Sequence, residues 1–247
     1  MVKCPIEKGI KEMSKYVSLH YVNAIGIKEL VYVNVDGKKI YKLNNGYKFK
    51  EFPENFRSMQ DPDVKYMHDY LLAQSQIDLK TVVVPEMLVV DDNNLYGYLA
   101  PFVEGVEIKN IDPEFLITEL LRIIQDIESD IRTLSREGWV MEDLHDQNLL
   151  ISQELSTGHI IDTDCYIKTK KDEYRRNMAC VFDVIVYSIL PRIQLSRAFK
   201  NKLIERYFYM GTVGLLSTNE FLRTLLIQLK QLIITNVTVQ DLRLKLQ

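Results

Sequence analysis

The sequence predicts an α+β fold in two parts, a strand-rich first part and a helix-rich second part. Through about the first hundred residues, short apolar runs rich in β-branched and aromatic residues alternate with turn signals. From Glu104 onward the apolar residues recur with a helical period. Because no long linker separates the two patterns, we predict one strand-rich lobe over 1–103 and one helix-rich lobe over 104–247.

The first part begins with a predicted hairpin. A β-rich run over Leu30–Val35 ends at Asp36-Gly37, a dipeptide that favours tight hairpin turns, and the chain returns over Lys39–Leu43. A polar, aromatic-rich loop is predicted over Asn44–Phe56, and a helix from about Asp63 to Gln76. Further strands are predicted over 81–84, 87–90 and 95–100.

The second part is built mainly from amphipathic helices. Apolar residues that step by four and three predict one long helix that ends at Gly138. These residues are Leu120, Ile124, Ile127, Ile131 and Leu134. Two short strands are predicted over 149–151 and 159–161, and a helix over 181–188 that stops near Pro191. A last helical stripe runs from Leu222 to Leu232.

Composition and charge exclude several classes of protein. The 247 residues are 47% hydrophobic and 26% charged, which is ordinary for a globular protein. The net charge of -3 and the pI of about 5.9 argue against a nucleic-acid partner. A basic run at Lys168–Lys171, with Arg175 and Arg176, is interrupted by Asp172 and Glu173, which favours a solvated loop.

The cysteines and the apolar runs bear on location. Cys4, Cys165 and Cys180 are odd in number and lack the spacing of a metal site, which indicates a reducing compartment. No run approaches the ~18 apolar residues that a membrane span needs, and the N-terminus lacks the apolar core of a signal peptide. We therefore expect a cytoplasmic protein without a membrane partner.

Candidate catalytic groups cluster between residues 143 and 164. Asp143 is followed five residues later by Asn148, and Asp162 comes after the two short strands. Carboxylate and amide oxygens suit Mg²⁺. A separate carboxylate can orient an attacking hydroxyl group and take its proton. This combination provides the groups that transfer of a phosphoryl group requires.

The segment from Gly138 to Ile151 resembles the catalytic loop of protein kinases, H-R-D-L-x-x-x-x-N followed by a short apolar strand. The resemblance implies a bilobal protein-kinase-like fold that binds ATP and Mg²⁺ between its lobes. It implies that Asp143 is the catalytic base and that Asn148 and Asp162 hold Mg²⁺. Asp164 is a candidate for a further metal ligand.

The first lobe extends the resemblance. Lys42 resembles the lysine of V-A-I-K that grips the α- and β-phosphates, and Gly26 lies close to the last glycine of the nucleotide loop. The other glycines of that loop are missing. The segment around Ala100 resembles the hinge between lobes, with Ala100, Phe102 and Val103 predicted to contact adenine.

Two further residues take expected roles from the same likeness. The helix that follows the predicted loop should supply an acid to pair with Lys42, and His68 and Asp69 are the best-placed residues. Asp183 resembles the buried aspartate that starts a helix in the kinase second lobe and holds the catalytic loop.

Three departures separate the chain from typical protein kinases. Met141-Glu142 replaces H-R, so the loop cannot pair with a phosphorylated activation segment through that arginine. D-F-G reads Asp162-Thr163-Asp164, which removes both the phenylalanine and the flexible glycine. Leu144-His145 after Asp143 is similar to the loop of aminoglycoside- and choline-type phosphotransferases, where the histidine is either a γ-phosphate donor or a surface residue.

Three functions follow as hypotheses. The leading one is a serine/threonine protein kinase that transfers the γ-phosphoryl group of ATP to a protein hydroxyl. The second is a small-molecule phosphotransferase, favoured by Leu144-His145 and by the D-x-D pair at 162–164. The third is a pseudokinase that acts as a binding module, favoured by the poor glycine loop and the missing helix glutamate.

Overall fold

The computed structural model describes residues 15–33, 37–152, 154, 156–228 and 237–246. The fold is α+β, with a mixed six-stranded sheet and several helices. The chain divides into two compact units, Met1–Asp78 with Val84–Phe102, and Leu79–Val83 with Val103–Gln247. The predicted boundary lay one residue later, at 103, and did not assign 79–83 to the second unit. The predictions for Cys4, for the hairpin tip at 34–36 and for the stripe beyond 228 lie outside the described residues.

The elements of the described residues are as follows. The strands are β1 Tyr16–Val17, β2 Ile27–Val33, β3 Lys39–Leu43, β4 Tyr47–Glu51, β5 Met87–Asp91, β6 Asn94–Pro101, β7 Val106–Glu107, β8 Trp139–Val140, β9 Leu149–Ser152, β10 Thr157–Ile160 and β11 Ile167–Lys168. The helices are α1 Leu19–Ile25, α2 Pro62–Gln74, α3 Ile117–Arg136, α4 Tyr174–Ile189, α5 Arg192–Ala198, α6 Lys202–Thr212, α7 Thr218–Gln228 and α8 Val239–Lys245.

The first unit is organised by one sheet with the strand order β1-β5-β6-β4-β3-β2. The short β1 is parallel to β5, and the other pairs are antiparallel. One face of the sheet carries Leu43, Phe49, Val89 and Leu99, which pack with Val22 of α1 into a buried cluster. Side chains alternate between the faces of a strand, so the residues between these apolar ones point to the opposite face.

Strand β4 is the largest difference from the sequence-based prediction. It occupies Tyr47–Glu51, inside the segment predicted to be a loop, and it lies between β3 and β6 in the middle of the sheet. Its lysines, Lys48 and Lys50, are buried, with 7% and 4% of their surface exposed. Lysine in a short segment normally indicates a solvated loop, since this residue is seldom fully buried unless it is paired.

Smaller differences occur elsewhere in the first half of the chain. Residues 81–84 form no extended strand, because Val82 makes a single isolated bridge to Ile160 and the residues after it have no regular secondary structure. The short elements β1 and α1 had no counterpart in the prediction. The helix predicted from Asp63 to Gln76 is confirmed as α2.

The second unit confirms the predicted helical pattern. The apolar stripe of α3 is fully buried, and the helix ends at Arg136, two residues before Gly138, whose φ of 77° is the left-handed conformation that glycine adopts readily. The two short strands are confirmed as the hairpin β9–β10. The helix predicted near Pro191 is confirmed as α4, and the described part of the last stripe lies on α7.

Asp130, on α3, joins residues 79–83 to the second unit. Its carboxylate accepts hydrogen bonds from the backbone N–H of Lys80 (2.7 Å), the backbone N–H of Thr81 and the hydroxyl group of Thr81 (2.8 Å). The backbone N–H groups of Val83 and Ile160 then bond across the same segment, to Ile160 and Thr81 respectively. One buried carboxylate therefore fixes this segment against α3 and β10.

No single helix in the described ranges is long and apolar enough to cross a membrane. Together α4 and α5 reach the required length and composition, but they meet at an angle of 102°.

We predict that Asp130→Ala destabilises the second unit by about 3 kcal/mol, since it leaves buried donors of Lys80 and Thr81 unpaired. Urea denaturation measures this loss. The matched control is Asp126→Ala, one turn earlier on α3, where the side chain is 57% exposed and its ion pair with Arg122 is long, at 4.0 Å. A loss of equal size in both variants would contradict the anchoring role.

Candidate active site

The loop that contains Asp143 is held at its start by Asn177, a fully buried residue of α4. The Asn177 amide nitrogen donates to Ser135 Oγ (2.8 Å) and to the carbonyl oxygen of Trp139 (2.7 Å). Its amide oxygen accepts from the backbone N–H of Met141 (2.8 Å). One side chain thus joins the end of α3, strand β8 and the entrance to the loop.

A chain of hydrogen bonds links the three predicted catalytic residues of this unit. The side-chain nitrogen of Asn148 donates to the carbonyl oxygen of Asp143 (3.0 Å). The carbonyl oxygen of Asn148 accepts from the backbone N–H of Ile161 (2.9 Å), the residue before Asp162. Because the Asn148 nitrogen is directed at Asp143, its side-chain oxygen is the atom that remains to bind a cation.

Two of these residues have an unusual backbone conformation. Asp143 has φ 58°, and Asp162 has φ 62° and ψ 55°. The other described non-glycine residues with positive φ lie in hairpin turns: Asp92, Asn93 and Ser156. A residue with a side chain in this conformation costs roughly 1–3 kcal/mol, and such residues concentrate at functional sites. The two aspartates that the sequence predicts to be catalytic therefore share a backbone conformation that is costly for a residue with a side chain.

The candidate metal residues follow directly on this loop. Asp162 is half-buried, whereas Thr163 and Asp164 are buried in a single 3₁₀ turn. The Thr163 hydroxyl group donates to the carbonyl oxygen of Val83 (3.1 Å), which fixes the turn. Within the described ranges, no three His, Cys, Asp or Glu side chains converge as a metal site. Asp162 with the Asn148 oxygen fits Mg²⁺, which commonly takes one or two protein ligands plus water and phosphate oxygens.

Charged and polar groups around the loop have defined partners. His145 accepts a hydrogen bond at Nδ1 from the backbone N–H of Gln147 (3.3 Å), so the neutral ring carries its proton on Nε2. Lys109 forms ion pairs with Asp146 (3.1 Å) and with Glu107 (3.0 Å). The hydrogen bond from Lys109 lowers the pKa of Asp146. The exposed Asp143 is thus flanked by residues already engaged with their neighbours.

In the resemblance drawn from the sequence, Glu142 replaces the arginine of H-R-D. Its carboxylate forms an ion pair with Arg176 in the first turn of α4. In this pair the acid lies on the loop and the base lies beyond it. The loop is therefore tied to the segment that follows it without a phosphate group.

Asp183 was expected to hold the loop that contains Asp143, and Asn177 does so instead. Asp183 lies in the middle of α4 rather than at its start, and its buried Oδ1 atom has no hydrogen-bond partner. Burial raises the pKa of this carboxyl group. The bonds to the loop come from Asn177, six residues earlier, which no sequence pattern singled out.

In the first unit, the sheet face opposite the apolar cluster brings predicted nucleotide residues together. Lys42 lies opposite Lys48, and Lys48 lies opposite Ala100, so these three side chains share one face across β3, β4 and β6. The Lys42 ammonium group lies 4.4 Å from the centre of the Phe102 ring. Phe102 is thus near Lys42, Ala100 lies two strands away from Lys42 on the same face, and Val103 belongs to the second unit.

Sequence reasoning missed Lys48 and Lys50. Lys50 is two residues from Lys48, so it points to the same face, opposite Tyr98 of β6. Lys50 lies on β4, the third strand after α1, and α2 is the next α-helix. Both lysines were missed because this segment was predicted to be a loop.

Gly26 and Asp69 have local structural roles. Gly26, with φ 83°, ends α1, and its N–H bonds to the carbonyl oxygen of Val22 (3.2 Å). It lies at a helix end rather than in a loop between two strands. Asp69 is 62% exposed and pairs with His68 (2.9 Å), whose ring stacks on Tyr16.

The comparisons with known proteins give no further guide to this site, because no protein-family model matches the chain and no curated protein is significantly similar to it.

We predict that Asn177→Ala lowers the free energy of unfolding by about 3 kcal/mol, because a buried N–H and a buried carbonyl group lose their partners. Chemical denaturation followed by tryptophan fluorescence is suitable, since Trp139 is adjacent to the lost bond. Cys180→Ala, one turn later on α4, is the control because its thiol makes a contact of 4.0 Å with Met141. Equal destabilisation by the two variants would argue against the clamp.

Proposed function

We propose that the protein is an ATP- and Mg²⁺-dependent phosphotransferase that acts on a hydroxyl group, with a serine or threonine of a protein as the acceptor. The observation that carries the proposal is the linked set Asp143, Asn148 and Asp162, with both aspartates in the left-handed conformation. A scaffold has no need of two aspartates in this conformation that are linked through one asparagine. A phosphotransferase needs these groups for proton transfer and for metal binding.

The residues divide the chemistry between them. Asp143, which is exposed, accepts the proton of the substrate hydroxyl as its oxygen bonds to the γ-phosphorus. The bond from that phosphorus to the bridging oxygen breaks, and ADP leaves. Asn148 and Asp162 would hold Mg²⁺, with Asp164 as a candidate for a second contact. When bound, Mg²⁺ neutralises charge on the phosphate oxygens.

The lysines of the first unit support binding of the phosphate groups. Lys42, Lys48 and Lys50 lie on one sheet face, and two of them are buried. We assign the main phosphate contact to Lys50, because its strand corresponds to the one that carries this lysine in kinases. Lys42 contributes charge next to Phe102 and Ala100.

Metal-dependent nucleotide binding tests the proposed Mg²⁺ site. In calorimetric titrations, we expect ATP to bind the wild type more tightly with Mg²⁺ than without it, and Asp162→Ala to lose this difference. Asp143→Asn should keep its ATP affinity and lose phosphate transfer by about 10²-fold or more, as expected for a general base. Asp126→Asn, on the exposed side of α3, is the control. Full transfer activity in Asp143→Asn would contradict the assignment.

Substitution of each lysine in turn tests whether Lys50 or Lys42 makes the main phosphate contact. We expect Lys50→Met to weaken ATP binding by about tenfold, through loss of a charged phosphate contact, and Lys42→Met to have a smaller effect. The measurement is the shift of the melting temperature with increasing ATP. Lys65→Met, at an exposed position of α2, is the control. A larger effect of Lys42→Met would return the phosphate role to Lys42.

A nucleotide-free binding module is the second candidate. Two observations favour it: Gly26 ends α1 instead of opening a phosphate loop, and Asp69 pairs with His68 instead of a lysine. The same titration decides between the candidates, because a module of this kind gives no heat with ATP in the presence or absence of Mg²⁺.

A further inference from the structure

The segment that follows the 3₁₀ turn Thr163–Cys165 is attached at two points, to strand β8 and to the loop that contains Asp143. We call residues 168–176 the basic segment. At its start, β11 pairs with β8, and the backbone N–H of Thr169 donates to the carbonyl oxygen of Gly138 (2.7 Å). Near its end, Arg176 pairs with Glu142, the residue before Asp143. The side chains between these two points are therefore held close to the proposed catalytic base.

Two glycines keep the basic segment in place. A Cβ atom on Gly138 would lie 2.4 Å from the carbonyl oxygen of Thr169. A Cβ atom on Gly214 would lie 1.9 Å from the carbonyl oxygen of Arg175. Because both contacts are with backbone atoms, any larger residue would displace the segment. Its position is thus set by close backbone packing at both ends.

The basic segment presents positive charge to the solvent. Lys170, Lys171 and Arg175 are exposed, and no ion pair involves them within the part of the chain that the structure describes. The acidic residues Asp172 and Glu173 interrupt the run but do not cancel its charge, since residues 168–176 contain five basic side chains and two acidic ones. Residues 172–176 line an open cleft of about 300 Å³.

A neighbouring guanidinium group extends the charged surface. Arg132, an exposed residue of α3, lies 5.7 Å from the ring centre of Tyr174. Tyr174 also lines the cleft formed by the end of the basic segment. A guanidinium group beside an aromatic ring offers an extended ligand a flat aromatic surface next to a positive charge.

We propose that the basic segment binds an acidic stretch of the substrate protein and so places a neighbouring hydroxyl group at Asp143. This inference rests on the proposed function and specifies its substrate class. Charge complementarity carries it, because three exposed cations without ion pairs in the described structure are fixed beside the catalytic loop. The net charge of -3 for the whole chain disfavours polyanions such as RNA, whereas a short acidic peptide meets only the local charge.

The experiment separates binding from transfer. Fluorescein-labelled peptides with one serine flanked by glutamate, by alanine or by lysine are titrated by anisotropy at low and physiological salt. The same peptides are then offered with Mg²⁺ and ATP for phosphate transfer. The variant is Lys170→Glu with Lys171→Glu. The matched control is Lys200→Glu with Lys202→Glu, two exposed lysines of the same unit that lie just before α6 and at its first residue.

We expect the acidic peptide to bind best, the Lys170/Lys171 variant to bind it about tenfold more weakly, and the control to resemble the wild type. Equal binding of the three peptides, or an unchanged affinity in the variant, would overturn the inference. Stronger binding of an RNA oligonucleotide or of anionic vesicles than of the acidic peptide would also overturn it. Thermal melting of both variants establishes that they are folded.

The two proposals can fail separately. If the acidic peptide binds through Lys170 and Lys171 but no peptide is ever phosphorylated, the proposed function fails and the docking surface stands. If peptides are phosphorylated without regard to their charge, the proposed function stands and the docking surface fails.

Discussion

The arrangement of the candidate site depends on one side chain, Asn177. Its amide group bonds to three partners that are separate in the sequence, at the end of α3, in β8 and at the start of the catalytic loop. Because the residue is fully buried, each lost bond would leave a polar group without water to replace it. The bonds from α4 therefore set the geometry of the loop, and the position of Asp143 is a consequence of helix packing.

This support explains how the strained residues persist. Asp143 and Asp162 hold left-handed conformations that an isolated loop would leave. Asp143 follows a segment fixed by Asn177, and its carbonyl oxygen is bonded to Asn148. Asp162 follows Ile161, whose N–H is bonded to the backbone of Asn148. The two hydrogen bonds of Asn148 thus connect both left-handed residues to the packed structure around them, which stabilises their conformation.

Periodicity decided which parts could be predicted from the sequence. The stripe of α3 and the hairpin β9–β10 follow directly from apolar spacing, and the order of Asp143, Asn148 and Asp162 follows from the motif. Strand β4 was missed because Lys48 and Lys50 are polar by type but buried in place. Asn177 was missed because its role depends on three partners brought together only by folding.

The ion pair between Glu142 and Arg176 has a consequence for the order of the loop that contains Asp143. In protein kinases, phosphorylation orders the activation loop through new pairs between arginine and the phosphate group. Here Glu142 pairs with Arg176, a residue of the chain itself, so the connection exists in the unmodified protein. Both attachments of the basic segment, at Gly138 and at Glu142, are made by backbone and side-chain groups of the unmodified chain. A loop ordered in this way needs no phosphate on the following segment to hold its shape.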